Sequence, residues 1–406
     1  MQVGQRTEMR ILLIGGWNEN FSNALSLGCQ VTGFVDPSAR TLVKEEVARA
    51  CSVTEVNIRD VARCLHESIR LHQVEPFSGV FSFTEFGLET ASVIARALEL
   101  PGAELHPNVL TRNKELMREA LAGSKLDNVG YRVCSNAAEL DEFAKSRGLP
   151  IILKPTNGQG SVGIRLVHDR TELKSVLSGE NELLWPMLAE TFINGQEYSV
   201  EAVSVAGNHH IVAITEKSLN SYFVEIQHLV PAPIDREIER GLHDATITLL
   251  NAVGLQTGVS HSEFRVAQDQ DGNVGIFCIE TQLRPGGGRI WKLVEICTGL
   301  KMDKMVMASS LGLNYRHGSP SARCALSYFP MFPPGKIAKV EGLEVVRSSA
   351  GVELFEFDYK TDDIIEPLIT SAKRKSCLVV SGKDREEALV NRDTAISFLQ
   401  VEIEEV

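Results

Sequence analysis

The sequence predicts an α/β protein with a parallel N-terminal sheet, a middle part of helices and hairpins, and a small, mostly β cap at the C terminus. Strand and helix patterns alternate over residues 1–108, an order that builds a parallel sheet. A glycine-rich stretch in the middle has strand patterns on both sides. After about residue 316, short strands are separated by Pro and Gly.

The composition narrows the range of partners. The 406-residue chain is 43% hydrophobic and has a formal net charge of −12, which argues against nucleic acid as its main partner. Its apolar runs are too short to span a bilayer, and its first ten residues lack the apolar core of a secretion signal. None of the eight cysteines forms a CxxC pair. We therefore expect a cytoplasmic protein with free thiols, no membrane partner and small-molecule substrates.

The N-terminal part, residues 1–108, is predicted to form a Rossmann-like domain. Met9–Gly16 is an apolar strand pattern that ends in a glycine turn, and Val31–Asp36 and Gly79–Glu85 are typical of two further strands. The last of these runs into a helical pattern that ends at Leu100-Pro101-Gly102.

The second part, residues 109–187, should carry a glycine loop. Helices are predicted at Asn113–Ala122 and Ala137–Arg147, followed by strands at Leu149–Lys154 and Gly163–His168.

Residues 188–315 are predicted to form a third part that consists of hairpins and helices, and residues 316–406 the cap. The elements expected in these two parts are strands within Leu188–Ala206 and at Ile211–Ile214, Glu263–Ala267 and Val274–Glu280, and helices at about Asp235–Val253, Ile290–Thr298 and Asp384–Leu399.

The glycine loop reads KPTNGQGSVG from Lys154 to Gly163. Gly158, Gly160 and Gly163 match GxGxxG, which is a weak signal when it stands alone. A Rossmann site would need a helix after the loop, whereas the residues after Gly163 alternate as in a strand. This pattern favours a hairpin that lies over phosphates as a flap, with Lys154 beside it to neutralise charge. A plain flexible hairpin loop remains the alternative.

Two carboxylates form the sharper pattern. Asp271-Gly272 is a strong two-residue hairpin signal between two alternating strands. Counting back along both strands from this turn places Glu263 opposite Glu280, on one face of the hairpin. A β-bulge near Asp269 would break this register.

Like charges so close together destabilise a sheet unless something compensates for them. Mg²⁺ is the natural compensator, because it binds carboxylates together with substrate phosphates. Gln282 and Arg284 continue the same face and offer a carbonyl oxygen and a cation. The alternative is a solvated face on which Arg265 pairs with the glutamates.

Together these motifs resemble the ATP-grasp superfamily, over the whole chain and most strongly from residue 109 to 300. The sequence is most similar to carboxylate–amine ligases that make dipeptides, the L-amino-acid ligases of the bacilysin-synthesis type. The nucleotide hinge of that superfamily matches Glu190 to Glu197, and its metal motif matches Glu263 and then Glu280 to Arg284. Gln282 departs from the pattern, which has asparagine at this place.

The resemblance implies an ATP-grasp fold and a set of site residues. The implied ligands of ATP are Lys114, Lys154, Gly158, Gly160, Ser161, Glu190, Phe192 and Glu197. Among them, backbone near Glu190 and Phe192 would hold adenine, and Glu197 would hold the ribose hydroxyls. The implied ligands of Mg²⁺, or of Mn²⁺ in its place, are Glu263, Glu280 and Gln282. The implied substrate residues are Lys217, Glu225, His228, Arg284, Gly287 and Gly288, with Arg284 and Lys154 as catalytic groups.

The predicted activity is an ATP-dependent ligase that activates a carboxylate as an acyl phosphate and joins it to an amine, most simply between amino acids. Three alternatives remain open: an acceptor thiol on a carrier protein, a carboxylase of the biotin or purine type, and a nucleotide-binding module without turnover. The resemblance also suggests a homodimer.

Overall fold

A computed structural model of the chain describes residues 9–156, 163–178, 185–268 and 273–404, with the side chains of residues 40–42 left aside. It contains four sheets packed with helices. The predicted α/β class is confirmed.

The N-terminal part is a parallel sheet with strand order β3-β2-β1-β4. Strand β1 of this sheet is buried on both faces, which explains the continuous apolar run in its sequence. The predicted strands are present, and a short strand, β3, had not been predicted. The elements are β1 (Arg10–Ile14), α1 (Asn18–Ser26), β2 (Gln30–Val35), a 3₁₀ helix (Pro37–Leu42), α2 (Glu45–Arg49), β3 (Ser52–Glu55), α3 (Val61–Val74), β4 (Gly79–Phe81), α4 (Leu88–Ala97) and α5 (Leu105–Arg112).

The second sheet is antiparallel, with order β5-β8-β6-β7. β6 pairs with β7 across the glycine loop, so a strand follows the loop, as predicted for a flap and unlike a Rossmann site. The elements are α6 (Lys114–Ala120), β5 (Tyr131–Cys134), α7 (Ala137–Arg147), β6 (Ile151–Pro155), β7 (Arg165–Val167), α8 (Arg170–Leu177) and β8 (Met187–Thr191).

β8 crosses the predicted domain boundary at residue 188. It pairs with β5 and β6 and therefore belongs to the second sheet. We propose a boundary after Thr191; the other boundaries stay predictions.

The third part forms most of an eight-stranded sheet with order β13-β12-β9-β10-β11-β14-β18-β16. The elements of this part are β9 (Gln196–Val205), β10 (Asn208–Leu219), β11 (Glu225–Val230), α9 (Arg236–Ala252), β12 (Gly258–Gln268), β13 (Val274–Gln282), α10 (Ile290–Thr298) and α11 (Met302–Ser310).

The hairpin of β12 and β13 has the predicted pairing of Glu263 with Glu280, but a bulge intervenes. The next pair is Phe264 with Cys278, so Ile279 is an extra residue on β13. Without that bulge, the pairing nearer the turn would not bring the two glutamates opposite each other. The predicted Asp271-Gly272 turn lies outside the described residues.

The C-terminal part is less separate than the predicted cap. Three of its strands continue the eight-stranded sheet, because β14 pairs with β11 and extends the sheet through β18 to β16. The other three strands form a small sheet with order β17-β15-β19. The elements are β14 (Cys324–Tyr328), β15 (Gly335–Glu341), α12 (Leu343–Ser348), β16 (Val352–Phe357), β17 (Ile364–Ile365), a 3₁₀ helix (Ser371–Lys373), β18 (Ser376–Gly382), α13 (Arg385–Ser397) and β19 (Gln400–Glu404).

Among the described residues, no helix combines the length and apolar character needed to cross a membrane.

Helix α9 provides a test of the packing. It begins after Asp235, whose carboxylate accepts from two backbone N–H groups at 2.9 Å, and it buries Leu249 completely against the eight-stranded sheet. Leu249→Ala should lower the free energy of unfolding by about 2–5 kcal/mol, because it leaves a cavity. Ile247→Ala on the exposed face of α9 is the matched control and should cost less than about 1 kcal/mol. Urea denaturation followed by far-UV circular dichroism measures both, and equal losses would contradict this packing.

Candidate functional site

Two cavities meet inside the structure. The carboxylate cavity has a volume of about 220 Å³ and is lined by five glutamates together with basic side chains. The glutamates are Glu190, Glu197, Glu225, Glu263 and Glu280. The aromatic cavity has a volume of about 470 Å³ and borders the N-terminal and C-terminal parts. Its aromatic residues are Trp17, Phe83, Phe86, Trp291 and Phe329. The residues common to both cavities are Arg284, Gly287, Gly288, Ser371 and Arg374.

Lys114 enters the carboxylate cavity from the first turn of α6. The helix begins there because the Asn113 side chain accepts from the N–H groups of Glu115 and Leu116. The Lys114 Nζ lies 2.9 Å from Glu280 Oε2. Burial alone would lower the pKa of Lys114, but the carboxylates of Glu280, Glu190 and Glu263 together raise it. Lys114 therefore lies beside the predicted metal residues.

Lys154 is held by a buried carboxylate. Glu190 accepts from Lys154 Nζ at 2.7 Å and from Arg118 Nε at 2.6 Å. Burial opposes ionisation of Glu190, yet the two cations lower its pKa to about 2. The Glu190 side chain therefore fixes Lys154. Arg118 was missed by sequence reasoning, although its position one helical turn after Lys114 placed it on the same face.

The hinge residues lie at the cavity, but some of their groups are already engaged. Glu190 pairs with Tyr131 and Ile152 in the middle of the second sheet, and the Phe192 N–H donates to Pro150 O at 3.2 Å. The Phe192 N–H is therefore engaged within the protein, and the adenine contacts predicted for the backbone near Glu190 and Phe192 stay a prediction. The Phe192 ring lines the carboxylate cavity.

Glu197 lines the cavity between two cations. Its carboxylate lies 3.1 Å from Lys217 Nζ and 3.2 Å from Arg265 NH2. Arg265 also lies 5.0 Å from the centroid of the Phe192 ring. The alternative in which Arg265 pairs with Glu263 and Glu280 is thus wrong.

Lys217 is buried at the wall of the carboxylate cavity. Its Nζ lies 2.8 Å from both Glu225 and Glu263, besides its contact with Glu197. Burial would lower the pKa of Lys217, but the three carboxylates raise it well above its usual value. Its ammonium group is surrounded by these three carboxylates and offsets part of their charge. The direct substrate contact predicted for Lys217 stays a prediction.

Glu263 has a second cationic partner, His261, which was not predicted as a site residue. His261 lies 3.0 Å from Glu263 Oε1 through Nε2 and 2.6 Å from Glu201 Oε1 through Nδ1. Burial would lower the pKa of His261, but Glu201 and Glu263 raise it to about 9. His261 lies two residues before Glu263 and therefore shares its face of β12. The alternation of this strand could thus have identified His261 as a site residue.

The compensation expected from a metal is therefore already supplied by side chains. Lys217 and His261 neutralise Glu263, and Lys114 neutralises Glu280. No group of three or more His, Cys, Asp or Glu side chains is arranged around a metal position in the described part of the chain. A metal held here would depend on the two glutamates, one further oxygen and phosphate oxygens.

Gln282 supplies the further oxygen. Its amide Nε2 donates to Glu280, while its buried Oε1 has no hydrogen-bond partner among the described residues. A buried carbonyl oxygen without a partner is costly unless a ligand satisfies it. Beside two carboxylates it completes an oxygen donor set of the kind that Mg²⁺ prefers, so the residues fit this ion.

Arg284 lies where the two cavities join. Its Nε lies 3.1 Å from Glu85 Oε2, just after β4 of the N-terminal sheet, and Arg112 NH1 lies 3.2 Å from the other oxygen of Glu85. Glu85, which was not predicted, thus fixes Arg284 from another domain. No local sequence signal connects residues so far apart in the chain.

A second glycine-rich segment, the α10 loop (residues 286–288), precedes α10. Its Gly287 and Gly288 border both cavities. Gly288 has φ +57°, and a side chain there would place its Cβ 2.3 Å from His228 Cε1. The Nδ1 of His228 lies 3.2 Å from Gly288 O, and Ser327 Oγ donates to the same oxygen at 2.8 Å. His228 lines neither cavity, so its predicted substrate contact is not supported. His228 instead supports the loop through its contact with Gly288.

The flap residues Gly158, Gly160 and Ser161, predicted as ATP ligands, lie outside the described residues. Gly163, at the end of the loop, has the left-handed φ of +75°.

Comparison with known proteins agrees with this arrangement. Residues 147–291 match the family model described as ATP-grasp domain, and residues 328–404 match the model described as L-amino acid ligase C-terminal domain 2. The second match covers the part of the chain predicted to be a generic cap.

Curated relatives match part of the chain. The uncharacterized protein y4rH of Sinorhizobium fredii is 32% identical over 259 residues, which cover 61% of this chain and 52% of that protein. An alanine–anticapsin ligase of Bacillus subtilis is 23% identical over 234 residues, covering 52% of this chain and 49% of that protein. The chain spans about half the length of these curated relatives.

Among solved structures, the L-amino acid ligase of Bacillus licheniformis is similar over nearly the whole chain. It superposes with a TM-score of 0.80 at 23% identity and covers 98% of this chain and 99% of that chain. This likeness supports the fold.

His261 should make the stability of the protein depend on pH. Its pKa of about 9 lies above the ordinary histidine value of about 6.5, so between these values the folded protein binds more protons than the unfolded chain. The stabilisation is complete below about pH 6.5 and is lost as pH rises through about 9. The free energy of unfolding should fall by roughly 3 kcal/mol across this window.

Urea denaturation between about pH 6 and pH 10, in the presence of EDTA, measures this effect. His261→Gln is the control, because it removes the titrating group and should flatten the pH profile. A wild-type profile no steeper than that of His261→Gln would contradict the assignment.

Proposed function

We propose that this chain, which carries an ATP-grasp domain followed by an L-amino acid ligase C-terminal domain, is an ATP-dependent ligase that joins the carboxylate of one amino acid to the amine of another. One observation carries the proposal: the carboxylate cavity, lined by lysines and glutamates, opens onto the aromatic cavity at Arg284, Gly287 and Gly288. ATP would occupy the first cavity and the amino acids the second, so the γ-phosphate and the carboxylate would meet at the junction.

The first step would form an acyl phosphate. A carboxylate oxygen of the substrate attacks the γ-phosphorus, the bond to the bridging oxygen breaks, and ADP leaves. Lys154, fixed by Glu190, and Lys114 neutralise the phosphate charge at the cavity wall. A divalent cation such as Mg²⁺, held by Glu263, Glu280 and Gln282, would supply further charge neutralisation of the phosphates.

The second step would form the amide. The amine nitrogen attacks the acyl carbon, the carbon–oxygen bond to phosphate breaks, and the departing phosphate takes up the proton that the amine loses. Arg284 is held in place by Glu85 and would stabilise the negative charge that develops on the acyl oxygen. Backbone N–H groups near Gly287 would contribute to the same stabilisation. The residues of the chain position and neutralise the reactants, and none acts as a nucleophile.

Two further points belong to the proposal. A cytoplasmic location follows from the need for ATP and free amino acids. The homodimer rests on the resemblance alone, and analytical ultracentrifugation would test it.

The direct test is a matrix of paired amino acids incubated with the protein and Mg-ATP. Phosphate release and mass spectrometry of the products are the two measurements. We expect at least one pair to give one amide per ATP consumed. ADP release that depends on bicarbonate, with no amide product, would contradict the ligase and support a carboxylase.

Glu280→Ala should reduce substrate-dependent ADP release at least about 100-fold, because it removes one carboxylate from the metal donor set and the ion pair that Lys114 makes with it. Glu239→Ala, an exposed glutamate on α9, is the matched control and should leave turnover unchanged. Far-UV circular dichroism would verify that both variants fold. Near-normal turnover of folded Glu280→Ala would refute the metal assignment.

A further inference from the structure

A second arginine borders both cavities. Arg374 follows the 3₁₀ helix at Ser371–Lys373 in the C-terminal part. It lines the junction of the two cavities together with Arg284, Gly287 and Gly288. Nothing in the sequence pattern singles it out, because it lies far along the chain from the other residues of the site.

The side chain of Arg374 is held on three sides. Its NH1 donates to Glu225 O at 3.2 Å and lies 3.4 Å from Glu225 Oε2, while its Nε donates to Ser371 O at 3.2 Å. Its guanidinium carbon lies 4.1 Å from the centroid of the Phe329 ring. Its NH2 has no acceptor within the described part of the chain. The guanidinium group is therefore oriented before any ligand binds, and its NH2 group remains able to donate hydrogen bonds.

The charges at the junction leave room for an anion. Glu225 has a closer cationic partner in Lys217, at 2.8 Å, than in Arg374, whose NH1 lies 3.4 Å from its Oε2. Arg284 reaches the same junction from the end of β13, held by Glu85. Two guanidinium groups that border one space repel each other unless an anion lies between them. A planar fork is the side chain best suited to carboxylate and phosphate oxygens.

We propose that Arg374 is a catalytic residue that binds the substrate carboxylate and then the phosphate group of the acyl phosphate, opposite Arg284. This inference rests on the proposed function and adds to it. The C-terminal part then supplies a group of the active site as well as part of its wall.

Arg392 is a matched control from the same part of the chain. It lies on α13, its guanidinium carbon is 5.4 Å from the centroid of the Tyr328 ring, and it contacts Gln227 on β11. It therefore resembles Arg374 in its ring contact and its contact with β11, yet it lines neither cavity.

Steady-state kinetics with the amino acid pair found in the matrix is the first measurement. Arg374→Met should lower kcat/KM for the carboxylate substrate at least about 100-fold, while the KM for ATP changes less than about threefold. Arg374→Lys should recover part of the activity, because it restores charge without the fork. Arg392→Met should stay within about twofold of the wild type. An unchanged melting temperature would separate these effects from loss of the fold.

Calorimetric binding of inorganic phosphate to the protein in the presence of Mg-ADP is the second measurement, because it needs no turnover. Arg374→Met should weaken the phosphate Kd at least about tenfold, whereas Arg392→Met should not change it. If the wild type forms no amide but phosphate binding depends on Arg374, the ligase proposal fails and the anion site stands. If the wild type forms amide and Arg374→Met matches Arg392→Met in both measurements, the inference is overturned and the ligase stands.

Discussion

The site depends on one electrostatic constraint: a carboxylate taken out of water must be paired with a cation or pay a large desolvation cost. Each glutamate of the carboxylate cavity obeys it: Glu190 and Glu280 have their own cationic partners, and Lys217 contacts the other three. Removing one partner would leave a buried charge unpaired, so the Lys217 contacts link β9, β10, β11 and β12. The same groups are those that a magnesium–nucleotide complex would engage.

This network changes the meaning of the facing glutamates. The sequence argument was that two opposed carboxylates require a metal, whereas Lys114, Lys217 and His261 already neutralise them. Ligand binding would then be an exchange, in which phosphate oxygens take over the lysines and the metal takes over the carboxylates. The buried, unpartnered Oε1 of Gln282 is the atom that such an exchange would satisfy.

The sequence allowed the fold class and the pairing of Glu263 with Glu280 to be predicted, because alternation and turn signals are local. The predicted pairing was correct, but its argument omitted the bulge at Ile279 that sets the register at the glutamates. No local sequence pattern indicated that bulge. Interactions such as Glu85 with Arg284 join residues from different sheets. A single sequence contains no signal for such pairs, and the same holds for the joining of β14 to β11, which brings three strands of the predicted cap into the main sheet.

A crystal structure of the protein with Mg²⁺ and a non-hydrolysable ATP analogue is the measurement that tests the central claim most directly. The account predicts one magnesium ion within about 2.0–2.3 Å of oxygens from Glu263, Glu280 or Gln282, with Lys114 and Lys154 turned to the phosphates. A nucleotide bound elsewhere, with both glutamates still paired to their lysines and no ion between them, would contradict it.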